Sequence, residues 1–443
     1  MAVYRENIPT HKIIGFSIVD NVPVKLKQIF QEKNQGSITE DKAVSVKVFN
    51  NFEDLTSIQR EWDDFIEAVG GEIFLTFDWC RIWWKYYGKN RKLRVFVFRS
   101  NNKLVGIIPL FLERIWLGPI FVRAVKIVGS DFTLAQFSFP IHNKYIKEVV
   151  QKFFESLPKD KWDILHIGPI AGQYKHYDAL KSVCDELLGH SYHVYTKIKG
   201  VQTYFELASN WDVQLSSLRK NEKGNVRRNY NLIRRLGSNE SIELETCFAT
   251  RANLTEFFDE FVGMHETYWN TLGKLGHFKD WPYAEEFHRE LSLTHLQLGR
   301  LRLLKVSLGS NCLGYQYHYK FGDKYLHYLD SRAELPLLKG VSWGRITFCE
   351  QVKKAIGEQV MFIDSMRGKY EHKLRLGGRL SKIRSIYVTP RNTLVWCRVR
   401  FFGICARLLN LCYYKIWYSR LITKLPLRCR PLWKMWLRTN GLS

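Results

Sequence analysis

Residues 302–330 read RLLKVSLGSNCLGYQYHYKFGDKYLHYLD. Apolar and aromatic residues alternate with polar ones over three runs, Arg302–Leu308, Leu313–Phe321 and Lys324–Asp330, separated by Gly309-Ser310-Asn311 and Gly322-Asp323. That pattern predicts three antiparallel strands joined by tight turns. A helix is expected next at Val341–Ile356 and a strand at Val360–Ser365.

Working outward, the same order occurs earlier in the chain. Strands are expected at Leu93–Arg99 and Leu104–Glu113 around the turn Ser100-Asn101-Asn102-Lys103, then near Val122–Val128, followed by a helix at Asn143–Leu157 and a strand at Trp162–Gly168. A strand at Val44–Val48 and helices at Leu55–Val69 and Asp78–Tyr87 lead into this first unit. Strands at Thr203–Leu207 and Ile242–Phe248, a long basic helix at Trp211–Leu236 and helices at Ala252–Thr271 and Tyr283–Thr294 lead into the second. The expectation is two α/β units in tandem: an arm over 1–43, a first unit over 44–199, a second over 200–389 and a tail over 390–443.

The chain has 443 residues, 46% of them hydrophobic and 25% charged, which excludes both a single small module and a mostly disordered chain. Sixty-seven Lys and Arg against 43 Asp and Glu leave a net charge of +24, so an acidic partner is expected. Residues 390–443 hold 11 of those bases and no acid, interleaved with Trp396, Phe401, Phe402, Tyr413, Tyr414, Trp417, Tyr418, Trp433 and Trp436. This composition suits a headgroup boundary, and an anionic membrane surface is the expected partner of the helical tail, the alternatives being nucleic acid for the same charges and packing of part of the segment on the second unit, since its bases do not share one helix face. Nine cysteines without a CxxC pair fit neither zinc nor a disulfide framework, no metal is expected, and a reducing, cytoplasmic setting follows.

Phe74-Leu-Thr-Phe-Asp-Trp79 with Trp83, Gly106-Ile-Ile-Pro-Leu110, Leu218-Arg-Lys220 with Arg227-Arg228, His265 with Trp269, and Phe362-Ile-Asp-Ser-Met-Arg-Gly368 followed by Lys373 come in an order and at separations that resemble the double-GNAT branch of acyltransferases. That branch holds the CelD-like (BioF2-like) and FemABX-type enzymes, and the resemblance covers roughly residues 45–388. It implies a tandem GNAT fold and acyl transfer from acetyl-CoA or another acyl-CoA. It also implies a diphosphate site at Lys339, Gly340, Val341, Ser342 and Arg345, where a helix N-terminus offers unpaired N–H groups. The usual GNAT glycine pattern is absent there.

The resemblance further assigns Lys373 to substrate phosphate or to the oxyanion, with Asp364 orienting it. His372 stands where the family has Tyr, and Arg367 belongs to the same motif. His265 is the candidate base, since histidine titrates near neutral pH, and Trp269 one turn on is a candidate substrate wall; His318, His327 and Tyr328 in the meander remain alternatives. Lys220, Lys223 and Arg227 share a helix face, and with Arg228 form either a clamp for an anionic acceptor or a solvated surface. No nucleophile elbow is present, so direct attack by the acceptor is expected. The expected acceptor is a small molecule or lipid-linked sugar. Fem-like transfer from aminoacyl-tRNA, or non-catalytic binding of anionic lipid or nucleic acid, are the alternatives.

Overall fold

The computed structural model describes residues 43–157, 161–240, 243–333, 340–421 and 432–442; apart from Ala43, the expected arm lies outside them. The described strands are β1 Ser45–Phe49, β2 Lys92–Ser100, β3 Lys103–Leu117, β4 Ile120–Ile127, β5 Ile164–Ile170, β6 Tyr192–Glu206, β7 Leu244–Phe248, β8 Leu301–Leu308, β9 Asn311–Phe321, β10 Lys324–Arg332, β11 Phe362–Arg367 and β12 Arg379–Pro390. They form one sheet in the order β1-β2-β3-β4-β5-β12-β6-β11-β10-β9-β8-β7. Read inward from either edge, each half is an antiparallel meander ending in a parallel pair, β4 with β5 or β10 with β11. The tandem GNAT architecture is therefore present.

At the centre the halves exchange strands. β6, which ends the first half of the chain, pairs with β11 of the second; β12, which ends the second, pairs with β5 of the first; and β6 and β12 pair with each other from Arg379↔Tyr204 to Pro390↔Tyr192. Helices cover the sheet through apolar stripes at helical spacing. In helix Leu254–Thr271 the buried residues are Leu254, Phe257, Phe258, Phe261, Val262 and His265. Trp79, on the first-half helix Phe77–Tyr87, packs on Tyr319, Tyr328 and Phe287 of the second half. The basic helix expected as one piece over Trp211–Leu236 is two, Trp211–Ser216 and Lys220–Glu240.

A polar join reinforces the exchange. Lys324 Nζ donates to the Gly70 and Gly71 carbonyls and pairs with Glu72 at 3.1 Å. Asp364 accepts from the Gln202 amide of β6 at 2.5 Å and from the Met366 N–H at 2.8 Å. Burial raises its carboxyl to about 6, and Glu72 adds to the effect against Gln202, Met366 and Lys324.

The tail folds back onto the first half. Val399, Phe402 and Ala406 of helix Thr393–Leu409 pack on Ile115, Val122, Ala124, Ile164 and Tyr387. Arg398 reaches the buried Asp163 at 2.5 Å, and Arg438 reaches Glu113 at 2.6 Å within a buried group that includes Lys126, Arg91 and Asp131. Tyr387 donates to the Gly441 carbonyl. Besides Phe402, four of the aromatics expected at a headgroup boundary turn inward instead. Tyr413, Tyr418, Trp433 and Trp436 are buried in one cluster, with Tyr414 stacked on Trp436 at 4.1 Å. Ring stacking and area burial outweigh their exposure to an interface.

Two outcomes follow from these joins. Arg438→Ala should lower the urea midpoint by the equivalent of about 1.5–3 kcal/mol, the range for a hydrogen bond to a charged group; an unchanged midpoint would mean the tail is not anchored at Glu113. For Asp364, a folded value of about 6 against an unfolded 3.8 means the folded chain binds the proton more tightly. Its contribution is fully present below pH 3.8 and is lost as pH rises through about 6. Asp364→Asn should remove about 3 kcal/mol of that pH-dependent change, and a stability–pH curve of unaltered shape would contradict the assignment.

Candidate active site

Each parallel pair is short. β4 and β5 meet only over Ala124–Lys126 and Ile164–His166, and β10 and β11 only over Lys324–Leu326 and Phe362–Asp364, so the strands splay apart beyond. In the first half the opening is filled: the Phe137 N–H donates to the Pro169 carbonyl, the Ala171 N–H donates to the Phe137 carbonyl, and the Phe137 ring is fully buried. No such backbone bridge joins β10 to β11 among the described residues. Bulges at His327–Leu329 of β10 and after Asp364 of β11, where Met366 takes φ +60°, widen the second opening.

Asp330, His327, His372 and Lys373 gather at this opening. Lys373, on the short helix Glu371–Arg375, donates to the Ser365 carbonyl at 2.9 Å and lies 4.9 Å from the Tyr370 ring centre. Desolvation pushes its ammonium below the usual value, with Asp330 and Asp364 pulling the other way. His327 donates from Nδ1 to Gln351 Oε1 at 2.9 Å, which leaves the lone pair on Nε2. Burial holds His327 well below its usual range; the Asp330 charge opposes this, and those of Lys373 and His372 add to it. It is therefore neutral at pH 7. His372 is lowered by desolvation and by Lys373, against Asp330, with Arg332 and Arg345 acting in the same sense as Lys373.

Helix Trp343–Gly357 begins beside the opening. Gly340 has φ +98°, a conformation that favours glycine, and a Cβ there or at Gly344 would meet nothing within 4 Å. The first N–H groups of a helix lack intrahelical acceptors. The Ser342 N–H is taken by Asn229 Oδ1 at 2.6 Å and the Arg345 N–H by the Ser342 carbonyl, and among the described residues nothing accepts from the Trp343 and Gly344 N–H groups. The Arg345 guanidinium is paired with the buried Glu222 at 2.7 Å. Lys339 lies outside the described residues. The backbone thus fits a diphosphate, with Gly340 and Gly344 giving access and Trp343 and Gly344 donating, while Ser342 and Arg345 are engaged elsewhere.

The other expected residues are more scattered. His265 donates from Nδ1 to the Asp330 carbonyl at 3.0 Å, and its Nε2 accepts from His277 Nδ1 at 3.1 Å. With both nitrogens bonded, it takes a proton only by giving up one of these partners. Trp269 packs with His265 and His277, 5.9 and 5.2 Å between ring centres. Asp364 belongs to the join with Gln202; the group fixing Lys373 is the Ser365 carbonyl. Arg367 extends to Lys199 of β6. Lys220, Arg227 and Arg228 are exposed on their helix.

Several functional groups had no sequence signal. Asp330 is one acid in a strand, and Ser365 acts through its backbone. Gly344 reads as an ordinary helix residue until the fold sets it at the open end. A recess of about 470 Å³ adjoins β10, lined by Glu260, Met264, Tyr268, Lys305, Cys312 and Arg332 among others. Arg332, which donates to the Tyr268 hydroxyl at 2.6 Å and acts on His372, is its rim toward the cleft.

Residues 221–374 match the family model described as an acetyltransferase (GNAT) domain, which spans the opening and every residue gathered at it. No curated protein sequence matches the chain. Among solved structures, FemX is 12% identical with a TM-score of 0.54 over 74% of this chain and 95% of its own. L-PGS from Bacillus licheniformis gives 11% and 0.43 over 80% and 96%, and a tandem GNAT protein from the clavulanic acid biosynthesis pathway 9% and 0.37 over 79% and 99%. The chain carries a GNAT-type acetyltransferase domain on a tandem GNAT fold and is an acyltransferase.

Proposed function

We propose that the chain transfers acetyl from acetyl-CoA directly onto an amine or hydroxyl of a sugar, polysaccharide or lipid-linked precursor, as a CelD-like member of its superfamily working at the inner face of a membrane. The observation that carries this reading is the contrast between the two halves: one opening is bridged by Phe137, and the other faces an uncapped helix end with glycines at 340 and 344. We assign residues 44–199 to a supporting unit and 200–389 to the catalytic one.

When bound, acetyl-CoA supplies the thioester carbonyl. Trp343 and Gly344 would hold its diphosphate on their backbone N–H groups, with Gly340 leaving room beside them and Val341 adjoining. Nε2 of His327 takes the proton of the attacking acceptor, a role its neutral state permits and the doubly bonded His265 does not share. Lys373, fixed by the Ser365 carbonyl, offers its other N–H donors to the charge that develops on the acyl oxygen. The recess beside Arg332 has room for a sugar.

Attachment to the membrane is supported by the outward face of the tail, where Phe401 and the expected bases are joined by aliphatic residues in place of the aromatics that turn inward. Leu394, Phe401, Ile404, Leu408 and Leu411 are exposed along one helical stripe, Leu394 to 81%, next to Arg400, Arg407 and Lys415.

Labelled acetyl-CoA incubated with the full chain, a panel of amino sugars and a membrane lipid extract should give a labelled acceptor. Lys373→Ala and His327→Ala should each slow this about 10²-fold, and label no higher than with heat-treated protein would sink the reading. The full chain should sediment with anionic liposomes at low salt, and Phe401→Asp/Leu408→Asp should not. Removing the whole tail would uncover Glu113 and Asp163, so point changes are the cleaner test; equal sedimentation of both proteins would contradict attachment.

A further inference from the structure

A second concentration of positive charge lies outside the cleft. Lys197 and Lys199, two residues apart on β6, extend from the same side of the strand, and their ammonium groups lie 5.2 and 5.6 Å from the centre of the Tyr387 ring. Lys197 is also 5.8 Å from the Tyr195 ring centre. Arg367, the last residue of β11, crosses Gly200 and donates to the Lys199 carbonyl. Gly200 has φ +140°, and a Cβ there would stand 3.2 Å from the Arg367 Nε, so glycine is what lets the guanidinium reach over the strand. From the tail helix, Arg407 and Arg400 both act on Lys197.

Like charges brought together cost free energy unless a counter-charge is present, the more so where water is partly excluded, as at the half-buried Lys197 and Lys199 beside the exposed Arg367, Arg400 and Arg407. Among the described residues no carboxylate pairs with Lys197, Arg367, Arg400 or Arg407, and residues 390–443 contain no acid at all. Lys199 donates to the Asn440 carbonyl at 3.5 Å. Burial, followed by Lys197 and Arg367, brings its ammonium down to about 7. Two ammonium groups and guanidinium forks around an aromatic floor match a phosphate, which accepts several charge-assisted hydrogen bonds at once.

The same helix that supplies Arg400 and Arg407 carries the exposed stripe Leu394, Phe401, Ile404, Leu408 and Leu411. Charge and apolar surface therefore adjoin on one element. We propose that Lys197, Arg367, Arg400 and Arg407 bind the phosphate of a membrane amphiphile whose hydrocarbon lies along that stripe. The inference rests on the acyltransferase reading only in making this amphiphile the carrier of the acceptor. Arg367 is two residues from Ser365, which fixes Lys373, so the bound phosphate sits roughly 7 Å along the strand from the cleft.

Calorimetry on the full chain tests this with geranyl diphosphate, inorganic diphosphate and phosphatidylglycerol vesicles as probes. Lys197→Gln/Arg407→Gln is compared with Lys89→Gln/Lys103→Gln, which removes the same charge from exposed positions outside the cluster and off the tail, after thermal melts have shown both variants folded. We expect geranyl diphosphate to bind more tightly than inorganic diphosphate, and its affinity to fall at least about tenfold in the first variant and not in the second, which indicates a diphosphate carrier lipid. The same variant pattern with vesicles alone also upholds the site and makes a phospholipid headgroup the source. Equal behaviour of the two variants with every probe overturns the site, and inorganic diphosphate binding as tightly as geranyl diphosphate overturns the amphiphile. Acetyl-CoA binding is measured in the same proteins: its absence in the wild type would defeat the acyltransferase reading and leave the phosphate result standing.

Discussion

The backbone pairing of β6 with β12 is the constraint on which the rest depends. Each strand continues the sheet of the half to which it does not belong in sequence, so neither half completes its sheet without the other. The exchange fixes β11 against β6 on one side while β10 follows its own meander on the other. The splay that makes the cleft is thus enforced from both flanks. Lys324 and Asp364 add polar ties at the same seam, at the cost of a buried carboxyl that holds its proton into the mildly acidic range.

The two similar openings differ in local chemistry, and on the proposed reading that difference selects the second. In the first half, residues after β4 return to bond with β5, and Phe137 fills the space a ligand would need. In the second half the neighbouring helix end offers backbone donors that nothing among the described residues accepts, and polar groups around the gap are held by protein atoms: the His327 ring by Gln351, the Lys373 ammonium by the Ser365 carbonyl and the Ser342 N–H by Asn229. Such prior ordering lets a site favour a transition state without reorganising when the reaction occurs. The first half completes the sheet and seats the tail, which is the supporting part the proposed function gives it.

Both meanders were legible in the sequence because their strands alternate cleanly and their turns carry Gly, Asn and Asp. The two central strands were largely not. In β6 and β12, bases such as Lys197, Lys199, Lys382 and Arg384 interrupt the apolar alternation, and a strand that pairs with the far half has no nearby turn to announce it. At the proposed site, Lys373 and Gly340 were offered by the resemblance. His327 could not be separated from His318, since only the helix placing Gln351 beside it sets its tautomer. In the same way, His265 looked like a base until the fold supplied partners for both its nitrogens. The tail's basic and aromatic content was plain, but which aromatics turn inward depended on buried acids at 113 and 163, far away in sequence.

The central claim is that the open splay, with its uncapped helix, is the acyl-CoA site. Gly344 stands in the first helical turn with open space beside it, so an acid there suits the helix dipole while placing negative charge where a diphosphate should lie. The most direct measurement is the acetyl-CoA dissociation constant of wild type and Gly344→Asp by calorimetry, alongside their melting temperatures. The account predicts affinity weakened by at least about tenfold, equivalent to about 1.4 kcal/mol, with a melting temperature unchanged or raised. Equal affinity in the two proteins would contradict it.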